Sequence, residues 1–279
     1  MNSPSPYRTP RILTQVTSLL VLNSYFFQSS LKYIPCISFN CYACPLAVFA
    51  CPIGTLQHLV ILNQIPFFTV GVLALFGIVF GRFICGWLCP FGFFQELLYK
   101  IPFPKKISLN ANRYLPFVIL IVLVFLIPWV TKLPWFCRLC PVGTFEAGIP
   151  LTIYEEQLRQ LIGPIYWIKI GILVALVLLS VASYRPFCRM FCPLGAIYSI
   201  FNKTSLVHAA LDEECVSCHR CQSYCPLKLD LPKQLNSIEC IKCLECAKCA
   251  KVRLSFGFKN ANGKLFPRRT KRKVSNHQA

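Results

Sequence analysis

Residues 164–195 read PIYWIKIGILVALVLLSVASYRPFCRMFCPLG, an apolar run to residue 183 followed by Arg185-Pro186-Phe187-Cys188-Arg189-Met190-Phe191-Cys192-Pro193-Leu194-Gly195. A hydrocarbon core about 30 Å thick takes about 20 helical residues, so the run predicts a membrane span with cysteines at its end. The run 61–82 closes the same way, on Arg82-Phe83-Ile84-Cys85-Gly86-Trp87-Leu88-Cys89-Pro90-Phe91-Gly92. Both endings fit Arg-x-x-Cys-x-x-x-Cys-Pro-x-Gly. Two matches in equivalent places are an internal repeat.

Apolar runs at 12–30 and 114–131 predict two further spans. The first reads as an uncleaved helix rather than a signal peptide, because no small-residue cleavage site follows Phe26-Phe27. The expected fold is an all-α four-helix transmembrane bundle, two pseudo-symmetric hairpins, over 1–205. A small ferredoxin-like domain over 206–256 and a basic tail over 257–279 follow. Composition agrees: 55% of the 279 residues are hydrophobic and 14% charged, against about 25% charged in soluble domains. The chain is too long for a small disulfide scaffold and too apolar for disorder.

Charge sets the expected orientation. The chain has 29 Lys and Arg against 10 Asp and Glu, a net charge of +19. The 82–113 loop carries Arg82, Lys100, Lys105, Lys106 and Arg113 against Glu96, while 31–60 has Lys32 alone. The 132–162 loop balances Lys132, Arg138 and Arg159 with Glu146, Glu155 and Glu156. The positive-inside rule then predicts a multi-pass protein of the cytoplasmic (inner) membrane, with both termini cytoplasmic. Lys169, inside the fourth run, either snorkels or lines a functional interior. The tail holds no aromatic stacking platform, so nucleic acid is not an expected partner. The lipid bilayer is.

The loops on the other side repeat as well. Cys51-Pro52-Ile53-Gly54-Thr55-Leu56 matches Cys140-Pro141-Val142-Gly143-Thr144-Phe145. Proline suits the first helical position, so each cysteine is placed at a helix N-cap beside free N–H groups, a setting that favours thiolates and anionic clusters. The inner quartet is Cys85, Cys89, Cys188 and Cys192, enough for one [4Fe–4S] cluster. Repeat logic selects Cys51, Cys137 and Cys140 at the outer site, with Cys44 or Cys41 as fourth. Cys36 and the remaining cysteine are spare or disulfide-bonded. The membrane part is thus expected to hold one or two clusters. Structural thiols or tetrahedral zinc are the competing readings.

Residues 212–255 carry the most specific pattern. Cys215-x2-Cys218-x2-Cys221-x3-Cys225-Pro226 is the bacterial [4Fe–4S] run, whose fourth cysteine serves the other cluster. Cys240-x2-Cys243-x2-Cys246-x2-Cys249 follows, with Ala250 in place of the usual proline. The exchange predicts Cys215, Cys218, Cys221 and Cys249 around one cluster, and Cys225, Cys240, Cys243 and Cys246 around the second. Cys215–His219 also spells Cys-x-x-Cys-His, the haem-attachment pattern, but it lies inside the longer run.

With these motifs the chain resembles the membrane-bound polyferredoxins of the periplasmic nitrate reductase and nitrous-oxide reductase accessory type, over about residues 60–255. The resemblance implies electron transfer between quinones or cytoplasmic donors and partners on the outer face. It implies a carrier or an oxidoreductase subunit, with redox proteins on one or both faces and a quinone as candidate partners. The expected function is a relay from the ferredoxin clusters through the membrane clusters to the outer face. A quinol- or metal-reducing subunit and a metalloenzyme maturation factor are the alternatives.

Overall fold

A computed structural model describes residues 5–24, 31–32, 34–102, 112–160, 162–212, 215, 218–231, 233–249 and 251–257. The basic tail beyond 257, Lys105, Lys106 and the 25–30 end of the first apolar run lie outside them.

Prolines in the first turn start most of the helices, as the missing N–H allows. In chain order the main ones are α1 (Arg8–Leu22), α2 (Pro52–Ile61), α3 (Phe67–Phe80), α4 (Pro90–Tyr99), α5 (Leu115–Thr131), α6 (Pro164–Ala182) and α7 (Pro193–Ile200). Single helical turns at Phe83–Trp87, Trp135–Leu139 and Pro186–Met190 carry cysteine loops. Strands β1 (Val207–Leu211) and β2 (Val252–Phe256) pair antiparallel, from Val207 opposite Phe256 to Leu211 opposite Val252, and bracket the cysteine-rich run.

The four-helix transmembrane bundle expected from hydropathy is not what forms. Among the described residues only α6, with 19 residues, is long and apolar enough to cross a membrane. Helix α3 has 14 residues, about 21 Å at 1.5 Å each. Pro66 precedes it and Gly81, at φ +57°, ends it. Helix α1 stops after 15 residues, and its polar side chains Arg11, Gln15 and Ser18 are buried against protein. Helix α5 is widened over Leu120–Leu126 to i→i+5 bonding, which shortens it further. Apolar runs continue across helix breakers; the helices do not. The fold is mixed: short helices around one long one, a two-stranded sheet and the cysteine-rich segment.

Only 22% of the apolar window of α6 is buried, and Trp167, Ile168, Val174 and Leu178 are exposed on it. It is therefore not the covered core helix of a soluble domain. One core packs the two repeats together through Ile53, Leu56, Ile84, Phe91, Val142 and Tyr198. A second joins the Arg82–Cys89 and Tyr184–Cys192 loops to the ferredoxin-like segment, with Trp87 and Tyr184 packed among Leu229, Ile241, Leu244 and Val252.

A buried ion network ties these parts at their junction. Glu96 on α4 pairs with Arg11 of α1 and, at 2.9 Å, with Arg185, and it accepts from the Tyr184 hydroxyl. Arg11 also donates to the Gly86 carbonyl at 3.1 Å and reaches the Cys243 carbonyl and Glu245 at 3.4 Å. Two guanidinium groups this buried depend on their carboxylate. Glu96→Gln is expected to cost about 3 kcal/mol, read as a lower denaturation midpoint in detergent. A variant as stable as the parent would remove Glu96 as the hub.

Candidate metal centres

Four cysteines start helical segments in the same way. Cys51, Cys89, Cys140 and Cys192 are N-caps in extended backbone, each followed by proline. The carbonyl of each accepts from the residue four ahead, at 2.9–3.2 Å. The Cys192 thiol accepts from the Gly195 N–H at 3.3 Å, and at Cys51, Cys89 and Cys140 the equivalent N–H of Gly54, Gly92 and Gly143 acts on the thiol in the lowering direction. Cys-Pro-x-Gly is thus a turn that aims an N–H at sulfur.

Burial works against the expected thiolate character at these caps. Burial raises all four thiols, and the glycine N–H groups only partly offset it. Desolvation of the charged form outweighs one hydrogen bond. A bound cation would favour the thiolate form at such buried caps.

At the inner site the two repeats meet. Cys192 is raised by burial first, then by Cys188, Cys85 and Cys89; Cys89 is raised by burial, Cys188 and Cys85. All four predicted residues therefore lie within electrostatic reach of one another. Two arginines cross between the halves. The Arg82 Nη2 donates to the Cys188 carbonyl at 2.9 Å, and the Arg185 Nη1 donates to the Cys85 carbonyl. Each passes over a motif glycine of the other half: a Cβ at Gly195 would sit 3.1 Å from Arg82, and one at Gly92 would sit 3.0 Å from Arg185. The arginine and glycine of Arg-x-x-Cys-x-x-x-Cys-Pro-x-Gly are therefore two parts of one contact.

At the outer site one small cavity is walled by Cys41, Cys51, Cys137 and Cys140. Cys44 is buried near Cys41 but does not line it, and Cys36 lies apart beside Ser38. All 18 cysteines are free, so the spare pair forms no disulfide. Burial pushes Cys41 up to about 11 and Cys137 up to about 12. The Lys169 charge acts on Cys137 in the lowering direction.

A recurrent residue went unread in the sequence. Six positions after three of the four Cys-Pro-x-Gly cysteines stands a carboxamide or carboxyl: Gln57, Gln95 and Glu146. Each holds a cysteine loop from elsewhere in the chain. Gln57 accepts from the Cys137 N–H at 3.2 Å, and Glu146 accepts from the Cys41 N–H at 2.7 Å. Gln95 accepts from the Phe187 N–H at 3.1 Å and donates to the Cys188 Sγ at 3.4 Å. Burial pushes Glu146 up to about 7. At the fourth such position Tyr198 donates to the Ile37 carbonyl. The repeat Cys-Pro-x-Gly-x-x-Gln/Glu was the available signal.

In the ferredoxin-like segment the thiols fall into two groups. Cys221 is raised by burial, then by Cys249, Cys215 and Cys218. Cys246 is raised by burial, then by Cys243, Cys240 and Cys225 and last by Cys221 of the first group; Cys225, Cys240, Cys243 and Cys246 line one cavity. The His219 Nδ1 lies 2.8 Å from the Leu231 carbonyl, an interaction within the fold.

Among the described residues no three His, Cys, Asp or Glu side chains close on a single-ion site. A tetrahedral zinc at 2.3 Å would draw its sulfurs to within roughly 4 Å of one another. All-thiol sets fit iron–sulfur ligation. The inner site adds an observation of its own: the Nε–H groups of Arg82 and Arg185 are both buried without a partner. Donors of this kind suit a sulfide-bearing group.

The 4Fe-4S binding domain family matches residues 48–65, 62–110, 114–149 and 166–210, more than half of the chain. The chain belongs to that family. The matched segments hold the four Cys-Pro-x-Gly motifs, so those motifs belong to a 4Fe-4S binding architecture. An uncharacterised protein of Methanocaldococcus jannaschii is 32% identical over 181 residues, 61% of this chain and 68% of its own. The methylamine utilization ferredoxin-type protein MauN of Methylorubrum extorquens is 29% identical over 157 residues, 53% and 48%. The regulatory protein NosR of Pseudomonas aeruginosa is 31% identical over 141 residues, 46% and 18%. The chain spans about two thirds of the first and less than half of the other two. No solved structure matches.

Losing the cross-repeat carboxamides should loosen each thiol group separately. Gln95→Leu leaves the buried Phe187 N–H unpaired, at about 1–3 kcal/mol. Chelator-resistant iron should fall roughly tenfold faster at the inner site, while Gln57→Leu acts on the outer one. Identical iron loss from both variants would refute the assignment.

Proposed function

We propose that this 4Fe-4S family protein is a membrane-associated electron relay with four [4Fe–4S] clusters. The reading rests on one observation above others: cysteines far apart in sequence come together in four all-thiol groups. Cys85, Cys89, Cys188 and Cys192 would hold the inner cluster, and Cys41, Cys51, Cys137 and Cys140 the outer one. Cys215, Cys218, Cys221 and Cys249 would hold one ferredoxin cluster, and Cys225, Cys240, Cys243 and Cys246 the other. Bound there, the clusters supply one-electron chemistry with little structural change.

Contacts between the groups support transfer. The Trp87 indole, between Cys85 and Cys89, donates to the Lys242 carbonyl at 3.1 Å, next to Cys243. Gly86 packs so closely on the Ile241 carbonyl that a Cβ would overlap it. Between the inner and outer sites stands an aromatic file. Phe39 contacts Phe136, beside Cys137, at 6.2 Å and Phe187, beside Cys188, at 5.8 Å. Electrons would pass from ferredoxin cavity to inner quartet to outer quartet, or the reverse.

Membrane association draws support from the uncovered α6 and from exposed Phe67, Phe68, Ile121 and Trp129 on the shorter helices. Redox proteins at one or both faces would complete the path. A quinone-linked oxidoreductase subunit is the second reading. An apolar cavity of about 390 Å³ favours it, lying between α5 and α6 with Cys140 in its wall.

Iron and acid-labile sulfide in anaerobically purified protein test the relay, with about 16 Fe per chain expected. About eight would leave the ferredoxin-like segment alone. Cys41→Ser should remove one cluster signal and about four Fe, while Cys44→Ser should leave both unchanged. The opposite result would assign Cys44 to the outer site.

A further inference from the structure

We propose that Arg82 and Arg185 set the reduction potential of the inner cluster, with their free Nε–H groups donating to its sulfur atoms. The inference rests on the inner quartet holding a cluster, as proposed above, and adds what tunes it.

The two side chains are counterparts in the repeat, each three residues before the first cysteine of its motif. Both are buried, Arg185 completely and Arg82 at 5% exposure. Their Nη atoms are occupied: Arg82 donates to the Cys188 and Ile238 carbonyls, and Arg185 to the Cys85 and Gly86 carbonyls. The Nε of each is the one guanidinium nitrogen without a partner, the same atom in both halves, and the Arg82 side chain already acts on the Cys85 thiol in the lowering direction. A buried charged donor without an acceptor is costly. Finding the same one twice, beside four thiols, points to an acceptor that belongs between them.

Reduction adds one electron, taken from a neighbouring cluster that is oxidised by one, and so adds one negative charge among the thiolates. Fixed guanidinium charges and N–H···S bonds favour that more negative state. The arginines are not equal. Arg185 shares its charge with Glu96 at 2.9 Å, whereas among the described residues no carboxylate pairs with Arg82. Arg82 therefore has the larger effect.

The test is a reductive titration of the full-length protein followed by EPR, with the inner signal identified as the one Cys89→Ser abolishes. Arg82→Gln should disfavour the reduced form tenfold or more, about 59 mV lower for a one-electron couple. Arg185→Gln should give a smaller fall in the same direction, and the ferredoxin signals should not move. Arg82→Lys keeps the charge without the Nε–H and should fall between parent and Gln. If Arg82→Gln does not retain the inner cluster, Arg82→Lys decides: a lowered potential supports the proposal, an unchanged one overturns it. An inner potential at the parental value in Arg82→Gln, or an equal shift in the ferredoxin signals, also overturns it. A parent protein with no signal sensitive to Cys89→Ser would instead overturn the inner cluster itself, along with anything said of its tuning.

Discussion

Desolvation of sulfur is the constraint around which the rest is arranged. A thiol can give its proton to solvent only if the thiolate is stabilised, and the inner and outer cysteines sit where water does not do this. Burial is the first cause that raises the Cys51, Cys89, Cys140 and Cys192 thiols. The glycine N–H at each Cys-Pro turn returns part of the lost stabilisation, and iron would return the remainder. Hence each cysteine loop is held by side chains from elsewhere in the chain. Gln57 holds the Cys137 loop, Glu146 the Cys41 loop and Gln95 the Cys188 loop. A donor set in such surroundings has to be stiff before the ligand arrives, because reorganising buried polar groups is expensive.

Duplication explains how one short pattern builds such a frame. Each half offers an arginine, two cysteines, a proline and a glycine, and each arginine is used by the opposite half. The contact is reciprocal, so neither half completes its own site. The same reciprocity joins the N-terminal helix and the ferredoxin-like segment, since Arg11 touches the Gly86 and Cys243 loops together. Helix α1 was expected to be a span. It is better understood as a strut, its buried Arg11, Gln15 and Ser18 bonded to the carbonyls of Gly86 and Leu88.

Local chemistry was legible in the sequence, and geometry over distance was not. The Cys-Pro-x-Gly N-caps follow from spacing alone, because proline and the helix N-terminus dictate them. Helix lengths did not, because hydropathy averages across Pro66 and Gly81 while hydrogen bonding stops there. Nor could spacing choose between Cys41 and Cys44. Cys137 precedes its Cys-Pro turn by three residues, whereas Cys41 precedes Cys51 by ten, so the equivalence is spatial. The shared feature is a backbone N–H held by the side chain six residues past the opposite Cys-Pro turn.

Where the repeats differ is as informative as where they agree. The position that is Gln57 in one half is Glu146 in the other, and Glu96 answers to Ser199. These exchanges leave the thiol frames alike and alter the charge around them. Two buried guanidinium groups flank the inner site. A carboxyl near neutrality and the more distant Lys169 attend the outer one. Clusters held in like ligands but unlike fields would differ in their affinity for an added electron. In the relay proposed above, the duplicated backbone would fix where electrons rest and a few side chains would fix which resting place is lower.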